Sequence, residues 1–281
     1  MHRVLSSVTL APNVTRLWID APTIAKKRHP GQFVILRPDE QGERIPLTIA
    51  DTDPARGAIS VIVQAVGKST REICALRAGD EITDVVGPLG KPTHIAPGSR
   101  VCCIGGGIGT AVAYPIACGV KALNGHVVAI VGGRTKDLVI LEEELRQVAD
   151  EVCVTTDDGS YGRKGLVTDA LKDLIAKGYT FDEVVAVGPI RMMQAVCDTT
   201  RALGLKTTVS LNPVMVDGTG MCGGCRVSVG GEMKFVCVDG PEFDGHQVDF
   251  AELAARLESY KDQEKVAVER LHLVSPGMEA W

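Results

Sequence analysis

One aspartate and three cysteines in the last quarter of the chain have the spacing of a metal centre. Asp217, Cys222, Cys225 and Cys237 form the pattern D-x4-C-x2-C-x11-C. Plant-type [2Fe–2S] sites use C-x4-C-x2-C and a distant fourth cysteine, so this chain has that spacing with aspartate in the first place. Three thiolates and a carboxylate could hold two irons, with the hard oxygen ligand on one of them. The spacing therefore predicts a [2Fe–2S] cluster and one-electron chemistry.

Two other interpretations of these residues stay open. A structural zinc site also accepts C-x2-C, but the usual zinc pattern supplies a second close pair of ligands. Here no such pair follows, and the next histidine is His246. A disulfide between Cys225 and Cys237 would also fit, yet the first residues, MHRVLSSVTLAPN, lack the apolar stretch of a secretion signal.

A glycine-rich turn between an expected strand and an expected helix is the second candidate site. Residues 105–111 read GGGIGTA. In such a turn, backbone N–H groups and the positive end of a helix face a pyrophosphate. The pattern is not a strict G-x-G-x-x-G, and a tight packing turn without a ligand remains the alternative. The candidate nucleotide-binding residues of this turn are Gly106, Gly107, Ile108, Gly109 and Thr110.

Three further loops would lie at the same edge of an open sheet, where ligands gather at the carboxyl ends of strands. Gly133 and Arg134 follow the second strand, Asp158 follows the third, and Gly188 and Pro189 follow the fourth. The ribose-binding acid expected after the second strand is missing, so NAD and NADP are not distinguished.

The expected elements divide the chain into four parts. Residues 1–96 contain six short strands (4–10, 14–19, 32–37, 47–49, 58–64, 81–86) and one helix (70–75), typical of a small antiparallel barrel. Residues 97–210 alternate strands and helices, which predicts a doubly wound, mostly parallel sheet. Residues 211–245 form the cluster segment, and residues 246–281 a helix, expected at 248–261, with a tail.

Composition limits the class of protein. With 281 residues, a net charge of −5 and no basic cluster, the chain is not expected to bind nucleic acid or an anionic membrane. Nine cysteines without a secretion signal favour a reducing cytoplasm. Residues 101–120 carry no charge, but their five glycines and Pro115 favour a buried strand, turn and helix over a membrane span.

The order of these parts resembles the ferredoxin-reductase-like flavoproteins. A barrel, a nucleotide domain with GGGIGT and VGP, and a [2Fe–2S] segment follow one another over nearly the whole chain, to about residue 245. The chain looks most like electron-transfer subunits of dihydroorotate dehydrogenase and the small subunits of NADH-dependent ferredoxin:NADP+ oxidoreductases. The first group carries four cysteines and the second has aspartate first, so Asp217 favours the second, whose sequences have also been labelled sulfide dehydrogenase subunits.

The resemblance implies a flavin site in the barrel. Thr48 would lie near the reactive edge of the isoalloxazine, and Arg44 stands one residue too early for the superfamily's R-x-Y-S motif, so its phosphate contact is not carried over. Helix N-terminal hydroxyls at 69–70 suit a phosphate on their own, although a plain helix cap is the commoner use. The flavin-binding residues implied are Ile45, Pro46, Leu47 and Thr48 for the ring, Ile62, Val63 and Gln64 for the ring or its tail, and Gly67, Ser69 and Thr70 for the pyrophosphate.

The same resemblance implies the activity. NAD(H) and FAD would exchange a hydride, and the [2Fe–2S] cluster would pass single electrons to a larger flavin and [4Fe–4S] subunit that binds NADPH and ferredoxin. No catalytic acid–base pair is expected, because the cofactors carry the chemistry. The alternatives are an electron-transfer subunit of dihydroorotate or sulfide dehydrogenase, a redox sensor without turnover, and a zinc-stabilised nucleotide-binding protein.

Overall fold

The computed structural model describes residues 1–274, and the first part of the chain forms an antiparallel barrel. Its seven strands have the order β6-β1-β2-β5-β4-β3-β7. The two edge strands, β6 and β7, are separated in sequence only by Thr83, so the sheet must curl until its edges meet. Its elements are β1 (His2–Ala11), β2 (Val14–Asp20), α1 (Pro22–Lys27), β3 (Phe33–Arg37), β4 (Ile45–Asp53), β5 (Ala58–Gln64), α2 (Lys68–Ala75), β6 (Glu81–Ile82) and β7 (Asp84–Leu89).

Alternating side chains explain the barrel. On β5, Ile59, Val61 and Val63 are fully buried in the barrel core, while Ile62 points outward into a second cluster. This period of two fills the inside of a small barrel and leaves one face for neighbouring structure. The predicted barrel is confirmed, with one strand and the short helix α1 more than expected.

The second part of the chain forms a parallel sheet covered by helices. The strand order is β11-β10-β9-β8-β12-β13-β16, and only β16 is antiparallel to its neighbour. The elements are β8 (Arg100–Gly106), α3 (Thr110–Ala122), β9 (His126–Gly133), α4 (Glu142–Val148), β10 (Glu151–Thr156), β11 (Arg163–Lys164), α5 (Val167–Ala176), β12 (Glu183–Val187), α6 (Ile190–Ala202) and β13 (Thr207–Ser210). The predicted doubly wound sheet is confirmed.

The cluster segment leaves this sheet after β13 and returns to it. It contains β14 (Arg226–Val229), β15 (Glu232–Phe235), α7 (Val236–Asp239) and β16 (Glu242–Asp244). Two helices follow, α8 (Phe250–Glu258) and α9 (Lys261–Val274). The expected single terminal helix is therefore shorter than predicted and is followed by a second helix, while residues 275–281 of the expected tail lie outside the described part of the chain.

Apolar contacts join the three parts. Val14 and Ile62 of the barrel pack in one cluster with Ala111 at the start of α3. Phe33 and Ile35, on the outer face of β3, belong to the core that also contains the cluster segment. The uncharged stretch 101–120 forms β8 and α3, as expected. Within residues 1–274, no helix has both the length and the apolar composition to span a membrane.

Candidate functional site

The glycine turn lies at the point where the strand order of the parallel sheet reverses. β8 has β9 on one side and β12 on the other, so the loops after β8 and β12 open a crevice between them. A Cβ on Gly109 would lie 2.2 Å from the carbonyl oxygen of Val187, and one on Gly106 would lie 2.3 Å from Sδ of Met192. At Gly109 the obstacle is backbone, so only glycine permits this approach, and the two predicted loops are brought together.

The ligand side of the same turn is open. Gly107 has φ +54°, and no heavy atom of the described chain outside the turn itself lies within 4 Å of the position a Cβ would take. Beside it, Thr110 starts α3 with a buried hydroxyl that has no hydrogen-bond partner within residues 1–274. An open glycine turn, an unpartnered hydroxyl and a 13-residue helix N-terminus fit a pyrophosphate group.

Among the predicted residues of the neighbouring loops, Arg134, Asp158 and Pro189 are exposed, and Gly133 and Gly188 are half-buried. The backbone N–H of Asp158 donates to the carbonyl oxygen of Arg134 at 3.3 Å. The carboxylate of Asp158 accepts from the backbone N–H of Ser160 at 2.9 Å, and this bond lowers the pKa of Asp158. The loops after β9 and β10 thus form one edge of the crevice, and Gly188 and Pro189 form the other.

The predicted flavin residues of β4 divide between its two faces. Ile45 and Leu47 pack against the barrel core. Pro46 and Thr48 alternate with them and stand opposite Ile35 and Phe33 of β3, respectively. Pro46 and Thr48 therefore share the outer face, on which Ala50 further along the strand packs with Ala111 of α3.

The predicted residues of β5 divide in the same way. Ile62 packs outward in the cluster that contains Ala111, Gln64 is half-buried at the end of the strand, and Val63 is buried inside the barrel. A ligand in front of the barrel could contact the side chain of Ile62 but only the backbone of Val63. The outer face of β4 and β5 is the face that a flat apolar ring would fit.

The start of α2 already uses the hydroxyls that were expected to hold a phosphate. Thr70 accepts hydrogen bonds from the N–H groups of Gly67 at 2.9 Å and Val66 at 3.0 Å, so it caps its own helix. Ser69 is buried and donates to the carboxylate of Glu43. Because an anion and a carboxylate repel each other, Glu43 must move before Ser69 can contact a pyrophosphate. Nothing in the sequence pattern marks Glu43.

Two of the three predicted cysteine ligands face each other in the core. Cys225 and Cys237 are buried, with their sulfur atoms 3.2 Å apart. Cys222 is exposed, and its sulfur accepts the backbone N–H of Gly224 at 3.4 Å. The carboxylate of Asp217 accepts from the N–H groups of Thr219 at 3.0 Å and Cys222 at 2.8 Å, and the Thr219 bond is the main cause of its lowered pKa.

The three cysteine thiols and the backbone N–H groups around them have the chemistry that an iron–sulfur cluster requires. Burial, with the hydrogen bond to Cys225, raises the pKa of Cys237 to about 12, whereas a bound metal would deprotonate such a thiol. The N–H groups of Gly224 and Cys237 already point at sulfur atoms, as they do around clusters. Within residues 1–274, no three acidic, histidine or cysteine side chains converge on one point; Cys222 is exposed, whereas Cys225 and Cys237 are buried.

The cluster loop rests directly on the barrel. Gly218 has φ +73°, and a Cβ there would lie 2.8 Å from a methyl of Leu89 and 2.9 Å from Cγ1 of Ile35. Ile35 is the register partner of Pro46. Neighbouring strands lie about 4.8 Å apart, so the loop is roughly one strand from the face of β4 that is expected to contact the flavin. The nucleotide turn reaches the same region, because Ile108 packs with Ile62.

Comparison with known proteins agrees with this arrangement. The iron–sulfur cluster binding domain of dihydroorotate dehydrogenase B matches residues 212–249, which include all four expected ligands. A solved chain from the NADH-dependent reduced ferredoxin-NADP oxidoreductase, described for flavin-based electron bifurcation, is 47% identical, with a TM-score of 0.91, over 96% of this chain and 97% of that one. The reductase of an Amycolatopsis cytochrome P450, 24% identical with a TM-score of 0.60 over 72% of this chain and 65% of its own, shares the fold alone.

Curated relatives cover most of the chain. A dihydroorotate dehydrogenase B electron transfer subunit homolog from Thermotoga maritima is 47% identical over 96% of this chain and 95% of its own length. The electron transfer subunit from Geobacillus thermodenitrificans is 34% identical over 87% of this chain and 96% of its own length. The resemblance predicted from the sequence is confirmed. The chain therefore belongs to the family of dihydroorotate dehydrogenase B electron transfer subunits and their homologues.

Proposed function

We propose that this protein is the small, electron-transfer subunit of an electron-bifurcating NADH-dependent ferredoxin:NADP+ oxidoreductase. It exchanges a hydride between NAD(H) and FAD and passes single electrons through a [2Fe–2S] cluster. The observation that carries the proposal is the contact of Gly218, in the cluster loop, with Ile35, the strand partner of Pro46. This contact brings the candidate cluster and flavin sites side by side, and the nucleotide turn borders them.

The residues of the chain bind and orient the cofactors. When bound, FAD supplies the conversion between hydride and single-electron transfer. Gly106, Gly107, Gly109 and Thr110 hold the pyrophosphate of NAD(H) at the switch point. Pro46, Thr48 and Ile62 provide a wall that excludes water from the ring. Ile45, Leu47, Val63 and Gln64 support that wall. Gly67, Ser69 and Thr70 would hold the flavin pyrophosphate, Ser69 only after Glu43 has left its hydroxyl and Thr70 through its backbone, because its hydroxyl caps the helix.

Asp217, Cys222, Cys225 and Cys237 hold the cluster in this proposal. Cys225 and Cys237 are preset by burial, while Cys222 and Asp217 lie on the exposed part of the loop. The Asp217 carboxylate has lone pairs left beside its two backbone hydrogen bonds, so one of its oxygens would also bind iron. Its oxygen places one hard ligand among three soft ones, and this difference tunes the cluster.

A partner docks where the cluster loop reaches the surface. Met221 is 88% exposed and Val216 is 50% exposed, on either side of Asp217 and next to Cys222. Exposed apolar side chains around an electron-transfer site are typical of a protein interface. The occupant is a larger flavin and [4Fe–4S] subunit that binds NADPH and ferredoxin, forming a heterodimer in the cytoplasm.

A second candidate is the electron-transfer subunit of an NAD-dependent dihydroorotate dehydrogenase, because a relative of that name is 34% identical over 87% of the chain. Anaerobic co-purification with the native partner separates the two. A partner with [4Fe–4S] clusters and an NADPH site supports the first candidate, and a flavin-only partner that oxidises dihydroorotate supports the second. Bleaching of the flavin by NADH, with a reducible [2Fe–2S] signal in electron paramagnetic resonance (EPR), tests the part common to both.

A further inference from the structure

Arg256 of α8 reaches across to the cluster loop. Its Nη2 donates a hydrogen bond of 3.0 Å to the carbonyl oxygen of Gly224. Gly224 immediately precedes the buried ligand candidate Cys225. Gly224 also donates its N–H to the Cys222 sulfur. The guanidinium therefore touches a residue that itself contacts a candidate ligand.

The guanidinium is held in place by its helix. Leu253, one turn earlier, is fully buried, and Asp249 caps the helix by accepting the Glu252 N–H at 2.9 Å. Glu252 in turn accepts the backbone N–H of Ser228 at 3.2 Å, which ties α8 to the strand after Cys225. Arg256 is thus presented to the loop by a fixed element rather than by a mobile tail.

The charge of Arg256 is not neutralised nearby. None of the salt bridges within residues 1–274 involves Arg256, and its Nε is enclosed without a hydrogen-bond partner in that part of the chain. The side chain is half-buried, and an enclosed N–H group without a partner is costly. An anionic group beside Gly224 would supply one, and a cluster with thiolate ligands is anionic.

We infer that Arg256 is a positioning residue that raises the reduction potential of the cluster, an inference that rests on the proposed function. Reduction by one electron makes a cluster one unit more negative, so a fixed positive charge favours the reduced form. In addition, the bond to the Gly224 carbonyl polarises the Gly224–Cys225 peptide, and its N–H becomes a stronger donor toward the cluster.

The size of the effect follows from the distance. A unit charge within roughly 10 Å, at the effective dielectric of a partly buried site, changes a one-electron equilibrium by about tenfold. Tenfold corresponds to about 59 mV for one electron. Arg226 offers a matched control, because it is an exposed arginine close to the same loop. Its Nη1 lies 3.3 Å from the position that a Cβ would take on Gly223, the residue before Gly224. Solvent should screen the charge of Arg226.

The experiment is an EPR-monitored redox titration of the full protein and of the variants Arg256→Gln, Arg256→Lys and Arg226→Gln. We expect Arg256→Gln to lower the midpoint potential by the amount that corresponds to about a tenfold change in the one-electron reduction equilibrium. The other two variants should change the midpoint potential much less. A midpoint in Arg256→Gln that equals wild type or Arg226→Gln would overturn the inference.

A further variant covers the case in which Arg256→Gln assembles no cluster. In that case Arg256→Met takes its place: a midpoint shifted negative by about tenfold relative to Arg256→Lys supports the charge effect, and equal midpoints in Arg256→Met and Arg256→Lys, or an empty site in all three variants, refute it. Thermal unfolding of each variant checks the fold. Absence of any [2Fe–2S] signal in the wild type would instead overturn the proposed function.

Discussion

Asp217 makes two backbone hydrogen bonds that hold the cluster loop in its present shape. A carboxylate that both shapes the loop and binds iron would be hard to replace. The two roles are separable, because only iron binding affects the electronic structure of the cluster.

Asp217→Cys tests the ligand role. A fourth thiolate in place of the oxygen should alter the EPR g values and the midpoint potential, since ligand type and net charge tune both. Thr219→Ala is the control, because it keeps the backbone N–H that Asp217 accepts and should leave the spectrum unchanged. An unaltered spectrum and potential in Asp217→Cys would mean that Asp217 is not a ligand.

Glu242 is a titrating group at the junction of the barrel with the rest of the chain. It accepts a hydrogen bond of 2.7 Å from Thr93, in the segment between the two sheets, and lies against Gly31. Burial, with a smaller contribution from the charge of Glu183, raises the pKa of Glu242 from 4.5 to about 7. The folded protein thus holds this proton more tightly than the unfolded chain does.

The stability of the protein should therefore fall as pH rises from about 4.5 to 7, and remain lowered above that. After allowance for partial exposure, the loss is about 2 kcal/mol of unfolding free energy. Glu242→Gln keeps an oxygen for Thr93 but cannot ionise, so it should unfold at a higher temperature than wild type at pH 8 and lack this part of the decline. Equal pH profiles for the two proteins, measured by calorimetry, would contradict the assignment.

At the scale of elements, the turn from β8 into α3 has two distinct glycine requirements. Gly109 is needed because the Val187 backbone lies against it, a requirement of packing. Gly107 lies in open space with φ +54°, so packing alone does not require it. A ligand approaching the backbone would explain why this side is open.

Gly107→Ala should weaken NADH binding with little loss of fold. The left-handed conformation costs alanine about 1 kcal/mol, and the methyl would occupy the space of the pyrophosphate. Gly98→Ala is the matched control, because Gly98 has φ +70° in equally open space at the opposite end of β8. We expect both variants to lose similar thermal stability, but only Gly107→Ala to raise the Kd for NADH, by tenfold or more. Equal affinities in the two variants would refute a nucleotide site here.

At the scale of the whole molecule, the barrel, the parallel sheet and the cluster segment share apolar cores. Arg16 of β2 and Glu144 of α4 add an ion pair of 3.0 Å across the barrel boundary. The candidate cluster loop, nucleotide turn and flavin-facing strand adjoin one another where these parts meet. Within residues 1–274, the cluster loop carries the exposed apolar side chains of Met221 and Val216.

Met221→Asp should prevent assembly with the larger partner and leave this subunit intact. Met221 is the most exposed apolar side chain of the loop, and a charge there would be buried on docking. Met233→Asp is the control, since Met233 is also exposed but lies on the β14–β15 hairpin. Size-exclusion chromatography of the co-expressed subunits measures the complex, and the NADH-dependent bleaching of the flavin should be normal in both variants. A stable complex with Met221→Asp would place the interface elsewhere.

Several features could be predicted from the sequence because they are local. The spacing of Cys222 and Cys225, the GGGIGT turn and the alternation of strands and helices each depend on residues close together in the chain. For strands and helices with such local periods, the predicted first and last residues agree with the structure to within a few residues. β16 was not anticipated, because a three-residue strand has no measurable period and pairs only with β13, more than 30 residues earlier.

The sequence by itself determined the kinds of candidate site: a cluster loop, a glycine turn suited to a nucleotide and a barrel strand expected to face a flavin. Only the tertiary structure decided which of their residues meet. Gly218 on Ile35, Gly109 on Val187 and Arg256 on Gly224 join residues far apart in the chain. Contacts of this kind follow from packing and charge across separate elements, and no spacing within one element encodes them.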